Sequence, residues 1–336
     1  MKALFYTAKN KVEMGELPEP QIRPNAVKIK VDYCALCATD IHIVTHGLYG
    51  LPTPWPLGHE GCGTIIEVSD EAAKLGWKTG DKVAVASGGP CGVCDECKRG
   101  NDIFCKNPTS APMLTEYAVV PTTMIFRIPD SENIKHYCLA EPCASAMEGI
   151  DLADIKLGQT VAISGIGGIG SIILNMILLR GGTKVTAIDP VASKRELAFS
   201  IGAQHVIDPL NEDLVKRAME ITDGRGFDRI FEVSGVPAAA PPVLKMLANK
   251  GKAIYFAVYP MDYELPVNLY EMYSKEASLQ TVFTSVYNYP RVMDLIPRLQ
   301  MDKIISVEYT LDHAEDAYQM FFESKHPKII VKCSND

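Results

Sequence analysis

Between residues 160 and 258 short apolar runs alternate with helical patterns, and no other feature restricts the fold of this chain so tightly. The alternation reads as strand 160–164 then helix 169–179, strand 184–188 then helix 193–200, strand 205–207 then helix 214–221, strand 229–233 then helix 242–248, and strand 252–258. Repeated βα units of this kind predict a parallel, doubly wound α/β sheet with helices on both faces. The first third of the chain has a different texture. It is turn-rich, with alternating stretches such as Val27-Lys28-Ile29-Lys30-Val31 and Thr64-Ile65-Ile66-Glu67-Val68 broken by Pro, Gly and Asp, and it reads as an antiparallel or barrel-like β domain with long loops. The texture changes near Ile150, blurs after about Phe283, and a last strand-like run, 328–333, closes the chain. The expected layout is a β-rich domain of residues 1–148 and 285–336 around one continuous doubly wound domain of residues 149–284.

Composition removes several classes. With 47% hydrophobic and 22% charged residues over 336 positions, the chain is ordinary for a globular protein and long enough for two cores. Residues 157–179 carry no charge and could in principle span a bilayer, yet Gly165, Gly167, Gly168 and Gly170 interrupt them and no second such stretch exists, so buried structure and no membrane partner are expected. A net charge of −8, with no basic patch or tail, argues against nucleic acid. Ten cysteines in 336 residues are too few for a disulfide scaffold, and residues 1–10 show no basic-then-apolar leader, so a reducing, cytoplasmic setting is expected.

The strand at 160–164 runs into Gly165-Ile166-Gly167-Gly168-Ile169-Gly170, a Gly-x-Gly-x-x-Gly turn that opens a helix. Glycine permits the tight turn and close backbone approach, and a helix N-terminus offers unpaired N–H groups to a pyrophosphate. Asp189 follows 19 residues after Gly170, at the end of the next strand, where a carboxylate would bind adenosine ribose hydroxyls. An acid there repels a 2′-phosphate and favours NAD, while Lys194 and Arg195 nearby keep NADP open. A purely structural βα turn is the alternative.

Four cysteines, Cys91, Cys94, Cys97 and Cys105, crowd into 15 residues with Gly92 and Gly100 among them. Four thiolates in one loop suit a closed, tetrahedral structural Zn²⁺. The spacing before the last cysteine and the Lys106 after it do not match the bacterial ferredoxin run. Upstream lies a second group: Cys37-Ala38-Thr39-Asp40-Ile41-His42, then Gly58-His59-Glu60, then Glu141-Pro142. Singly, Cys37 reads equally well as core, His59 as a turn histidine and Glu60 as a solvated carboxylate. Jointly, a thiolate, an imidazole and one or two carboxylates are what an open catalytic zinc site needs.

The ordered set Cys37-x-Thr39-Asp40-x-His42, Gly58-His59-Glu60-x-x-Gly63, Gly80-Asp81-x-Val83, the four-cysteine loop, Glu141-Pro142 and the Gly165 to Gly170 turn with Asp189 resembles the zinc-dependent medium-chain alcohol dehydrogenase family. Glu141-Pro142 places it nearer the polyol/sorbitol or threonine dehydrogenase branch. The resemblance implies a GroES-like catalytic domain with a Rossmann cofactor domain, two zinc ions per chain, and a homodimer or homotetramer. It implies Cys37 and His59 as catalytic zinc ligands, with Glu60 as a ligand or exchangeable near-ligand and Glu141 holding a zinc-bound water or coordinating directly. Asp40 would orient His59, Thr39 would hydrogen-bond the substrate oxygen and His42 would pass the proton to solvent; Gly165, Gly167, Gly168, Ile169, Gly170, Asp189 and Lys194 would hold the cofactor. Some relatives carry a third zinc cysteine where this chain has Ser145, and Cys143 is out of register, so the third ligand stays open between Glu60 and Glu141. The loop 106–117 is also shorter than usual and lacks the glycine pair before Glu116-Tyr117.

These residues imply reversible hydride transfer between a secondary alcohol, polyol or sugar-derived, or its ketone, and NAD. An amino alcohol such as threonine is the next substrate class. A zinc-independent reductase of an activated double bond would normally lack Cys37 and His59, and a non-enzymatic metal or nucleotide binder would be expected to have lost Thr39 or His42. His46, Tyr49 and Trp55 are candidates for the substrate pocket or for packing under the proline-rich loop.

Overall fold

The computed structural model describes residues 1–181, 183–285 and 287–334. The chain divides into two compact units, residues 1–144 with 285–336, and residues 145–284.

In the first unit, β1 (Lys2–Ala8), β2 (Lys11–Glu16) and β4 (Trp55–Pro56) form a small antiparallel sheet. A larger sheet is built on β3 (Ala26–Ala35), which pairs antiparallel with β5 (Glu60–Val68) and β7 (Tyr117–Pro121), and continues through β6 (Lys82–Val85) to β8 (Ile125–Arg127). The alternation of Val27, Ile29 and Val31 with lysines predicts a half-exposed strand, but Lys28 is buried as well. Its ammonium is neutralised by Glu19 and lies 5.7 Å from the Tyr117 ring centroid. Short helices cross this unit: α1 (Ala38–His46), α2 (Asp70–Lys74) and α3 (Asp95–Lys98), and α4 (Ala140–Ala153) carries the chain onward.

The second unit holds a six-stranded sheet in which each neighbouring pair is parallel: β9 (Thr160–Ser164), β10 (Lys184–Ile188), β11 (His205–Ile207), β12 (Phe227–Glu232), β13 (Leu247–Tyr255) and β14 (Ser278–Thr281). Its spatial order, β11-β10-β9-β12-β13-β14, reverses beside β9, which is the doubly wound dinucleotide-binding order. Helices α5 (Gly168–Arg180), α6 (Ala192–Ile201), α7 (Leu214–Ile221), α8 (Ala240–Lys245) and α9 (Leu269–Lys275) fill the connections. Ile207, Phe227, Ile230, Val243 and Leu244 are buried together in the core beside α7 and α8.

The expected bounds of one helix and one strand need correction here. The helix expected at 242–248 ends at Lys245, and the strand expected at 252–258 starts already at Leu247, because Lys250 (φ +59°) and Gly251 let an extended chain bend back into the same strand. The uncharged stretch 157–179 is a strand, a turn and a helix, and among the described residues no helix is long and apolar enough to cross a membrane. The blurred C-terminal region returns to the first unit with α10 (Tyr289–Leu295), β15 (Ile305–Thr310) and β16 (Lys328–Lys332), and β16 pairs antiparallel with β3.

Candidate active site

Cys37 follows β3 and caps the N-terminus of α1. Its sulfur accepts the Thr39 N–H at 3.5 Å, and the Asp40 carboxylate reaches back to the Cys37 N–H at 3.3 Å. This reciprocal cap fixes the two side chains against each other. Asp40 is buried, and its other oxygen lies 3.2 Å from His59 Nδ1, which orients the ring and leaves Nε2 for a ligand. Strand register does the rest. Ala35 stands opposite Glu60 on β5 and opposite Ile330 on β16, so three strand ends bring Cys37, His59-Glu60 and Lys328 to one place.

One sulfur of Cys37, one ring nitrogen of His59 and one carboxylate oxygen of Glu60 lie within 4.8 Å of one another. A thiolate, an imidazole and a carboxylate make the three-ligand donor set of an open zinc site. The electrostatics agree. Burial pushes the Cys37 thiol up and lifts the Glu60 carboxyl to about 7. Burial works against a charged His59, yet Asp40 and Cys37 outweigh it and hold the imidazole well above the usual range. A divalent cation would compensate the buried negative charge of Cys37 and Glu60, so these residues fit one.

Glu60 already has a partner that nothing in the sequence announces. The buried Lys328 ammonium pairs with its carboxylate and donates to the Leu36 carbonyl at 2.8 Å, and the Glu60 charge keeps Lys328 protonated in spite of burial. Glu141, in the first turn of α4, is not part of the 4.8 Å set; its Oε1 accepts the Ser87 hydroxyl at 3.1 Å. Cys143 is fully buried and Ser145 nearly so, and neither joins the set.

Thr39 and His42 sit three residues apart on α1 and so share a face. Burial and the neighbouring His46 ring, 5.8 Å away between centroids, lower the His42 pKa and keep it neutral near pH 7. Tyr49 is 60% exposed and holds a left-handed φ of +67°, uncommon for a tyrosine. Trp55 is tied into β4 opposite Tyr6.

The four-cysteine loop is self-contained. The Sγ atoms of Cys91, Cys94, Cys97 and Cys105 lie within 4.8 Å of one another, with Cys94 at 3.5 Å from Cys97 and 4.0 Å from Cys105. A zinc with about 2.3 Å bonds to tetrahedral sulfurs needs edges of about 3.8 Å, which these distances bracket. Backbone N–H groups of Cys97 and Lys106 lower the Cys94 thiol to about 6.

In the second unit the glycine turn links β9 to α5. A Cβ at Gly165 would fall 2.9 Å from the Ser234 backbone and one at Gly170 only 1.9 Å from the Gly165 carbonyl, while a Cβ at Gly167 would meet nothing within 4 Å. The outer two glycines thus serve turn and helix packing, and the middle one leaves open backbone for a phosphate. Gly168 and Ile169 form the partly exposed first turn of α5. Asp189 is buried, with Oδ2 accepting the Ile166 N–H at 2.7 Å and Oδ1 the Val191 N–H at 2.9 Å. Arg195 is occupied by Asp208 at 2.9 Å and by the Asp189 and Pro190 carbonyls, whereas Lys194 is half-buried on the same turn of α6.

Comparison with known proteins gives the same picture. Residues 23–130 match the alcohol dehydrogenase GroES-like domain and residues 168–298 the zinc-binding dehydrogenase domain. The L-threonine 3-dehydrogenase of Pyrococcus abyssi is 30% identical over 95% of this chain and 94% of its own length. The sorbitol dehydrogenase of Bacillus subtilis is 27% identical over 97% and 95%. A crystal structure of a zinc-binding dehydrogenase from Clostridium scindens superposes with a TM-score of 0.94 at 34% identity, covering 99% of both chains. With its GroES-like and six-stranded Rossmann architecture, the chain belongs to the zinc-dependent medium-chain alcohol dehydrogenase family and is an NAD(P)-dependent dehydrogenase acting on CH–OH groups.

Proposed function

We propose that the chain reversibly oxidises a secondary alcohol of the polyol or sugar-derived class to its ketone, with NAD as hydride acceptor and one proton released. The observation that carries this reading is the Cys37, His59 and Glu60 donor set with Asp40 behind His59. Zinc held there would polarise the alcohol oxygen and lower its pKa. Thr39 accepts the hydrogen bond of the substrate hydroxyl, and His42, kept neutral by burial, takes the proton towards solvent. Cys91, Cys94, Cys97 and Cys105 hold the second, structural zinc. Gly165, Gly167, Gly168, Ile169 and Gly170 take the pyrophosphate, and Asp189 and Lys194 flank the adenosine ribose. NAD is favoured over NADP because a carboxylate, Asp189, stands at that position and Arg195 is committed to Asp208.

Similarity to sorbitol dehydrogenase supports a polyol, and similarity to L-threonine 3-dehydrogenase supports an amino alcohol as the second reading. A reducing compartment fits a protein whose two metal sites both need thiolates. Self-assembly is supported by β14, an outer strand with exposed Leu279, and by Leu269, Tyr270 and Tyr273 exposed on α9. The deciding experiment is a panel of polyols, amino alcohols and short alcohols with NAD or NADP, followed by reduced-cofactor absorbance. The highest kcat/KM should fall on a polyol with NAD; a highest value on threonine replaces the substrate class, and no turnover with any alcohol overturns the reading.

A further inference from the structure

Three distant parts of the chain meet behind Glu141. Ser87, in the loop after β6 and four residues before Cys91, donates its hydroxyl to Glu141 Oε1 at 3.1 Å, while its backbone N–H donates to the Tyr289 hydroxyl at 3.4 Å. Tyr289 opens α10, is buried, and stacks on Phe126 of β8 with 4.7 Å between centroids and 6° between planes. The stack orients the phenol, and the hydrogen bond sets the serine against it. Burial and the Glu141 charge raise the Tyr289 pKa, so the phenol stays neutral. Among the described residues Glu141 accepts a hydrogen bond at Oε1 alone, and Oε2 is left without a protein donor. Its charge nonetheless acts on Glu60, Lys328 and Tyr49. Oε2 is not sealed off like the buried unpartnered atoms of this chain, so a carboxylate held at one oxygen keeps the other open to a bound water or a cation.

We infer that Ser87 is a positioning residue for the metal centre: with Tyr289 as its anchor, it fixes Glu141 so that Oε2 faces the Cys37–His59–Glu60 site. The inference rests on the metal reading of that site. A hydroxyl suits the task, since it donates a hydrogen bond without adding charge, and groups that orient metal-centre carboxylates typically matter about 10- to 100-fold in metal affinity. The same short loop leads into the four-cysteine cluster, so Ser87 also ties the two metal regions together in sequence.

The test is chelator-driven zinc release from the zinc-loaded full chain, followed for each zinc, with melting temperature measured alongside. Ser87→Ala should speed release of one zinc by about tenfold or more and leave the other unchanged. Ser87→Thr, which keeps the hydroxyl, should restore the native rate. Glu141→Gln should release the same zinc, and adding Ser87→Ala to it should change little, because both act through one contact. That comparison still reports if Ser87→Ala alone folds poorly. Native release from Ser87→Ala, full additivity with Glu141→Gln, faster loss of both zincs, or a KM change without faster release would each overturn the role of Ser87. A native chain that binds one zinc overturns the metal reading beneath it, a separate result.

Discussion

The two candidate metal regions of the first unit approach the same problem by opposite routes. The four-cysteine loop gathers all its ligands within 15 residues, on a turn and the four-residue helix α3, and supplies four like donors. The Cys37–His59–Glu60 site takes its donors from a helix cap, a turn and a strand start, and depends on β3 standing between β5 and β16. The first is closed and local, so its ion should serve stability. In the function proposed, the second has three protein donors and thus an open position for chemistry, and its geometry is only as good as the sheet register behind it.

The sharpest break in the comparison comes from removing one sulfur on each side. Cys37→Ser should reduce alcohol oxidation to background while circular dichroism and melting stay close to native. Cys97→Ser should instead lower stability by more than about 4 kcal/mol in denaturant titrations, as loss of a structural metal does. Full turnover in the first variant, or native stability in the second, would collapse the distinction between the sites.

Lys328 tests the register-dependent site from behind. Lys328→Met strands the Glu60 carboxylate and should cost about 3–5 kcal/mol near pH 8. Lys328 lowers the Glu60 carboxyl, so without it Glu60 should rise above its native value of about 7, and the loss should shrink as pH falls towards 7 and Glu60 takes up a proton. A pH-independent loss in urea titrations would argue that Lys328 acts only through packing.

Acidification should separate the sites without mutation. His59 is held above the ordinary histidine value, so its proton competes with metal, and zinc affinity at the Cys37–His59–Glu60 site should fall as pH falls. Titration with a competing chelator should show this site emptying before the four-cysteine loop. The reverse order would contradict the assignment of open and closed sites.

The smallest effect is expected in the other unit. Asp189→Asn keeps an oxygen for the Ile166 N–H but removes the charge, and should raise KM for NAD by about tenfold while narrowing the preference over NADP. An unchanged cofactor preference would remove Asp189 from the role proposed for it.

What could be read in the sequence follows the same division. The βα alternation, the glycine turn and the four-cysteine loop are local patterns, and the parallel sheet, its β9 strand and the clustered sulfurs are where those patterns place them. Cys37, His59 and Glu60 were visible only as a joint set, since each has an ordinary use alone. Lys328 was invisible: 268 residues separate it from Glu60, and a lysine opening an apolar strand reads as a solvated end until β16 is paired with β3. Ser87 and Tyr289 carried no signal for the same reason. Trp55 reads only as a pocket candidate or as packing under the proline-rich loop, because a two-residue strand has no periodicity. The C-terminal elements blurred because α10 and the short helix that follows it contain Pro290 and Pro297.

Metal content bears most directly on the central claim that one chain holds two chemically distinct zinc sites. Elemental analysis of the purified full chain should give two zincs, with one remaining in Cys37→Ser. One zinc in the native chain, or two in Cys37→Ser, would contradict it.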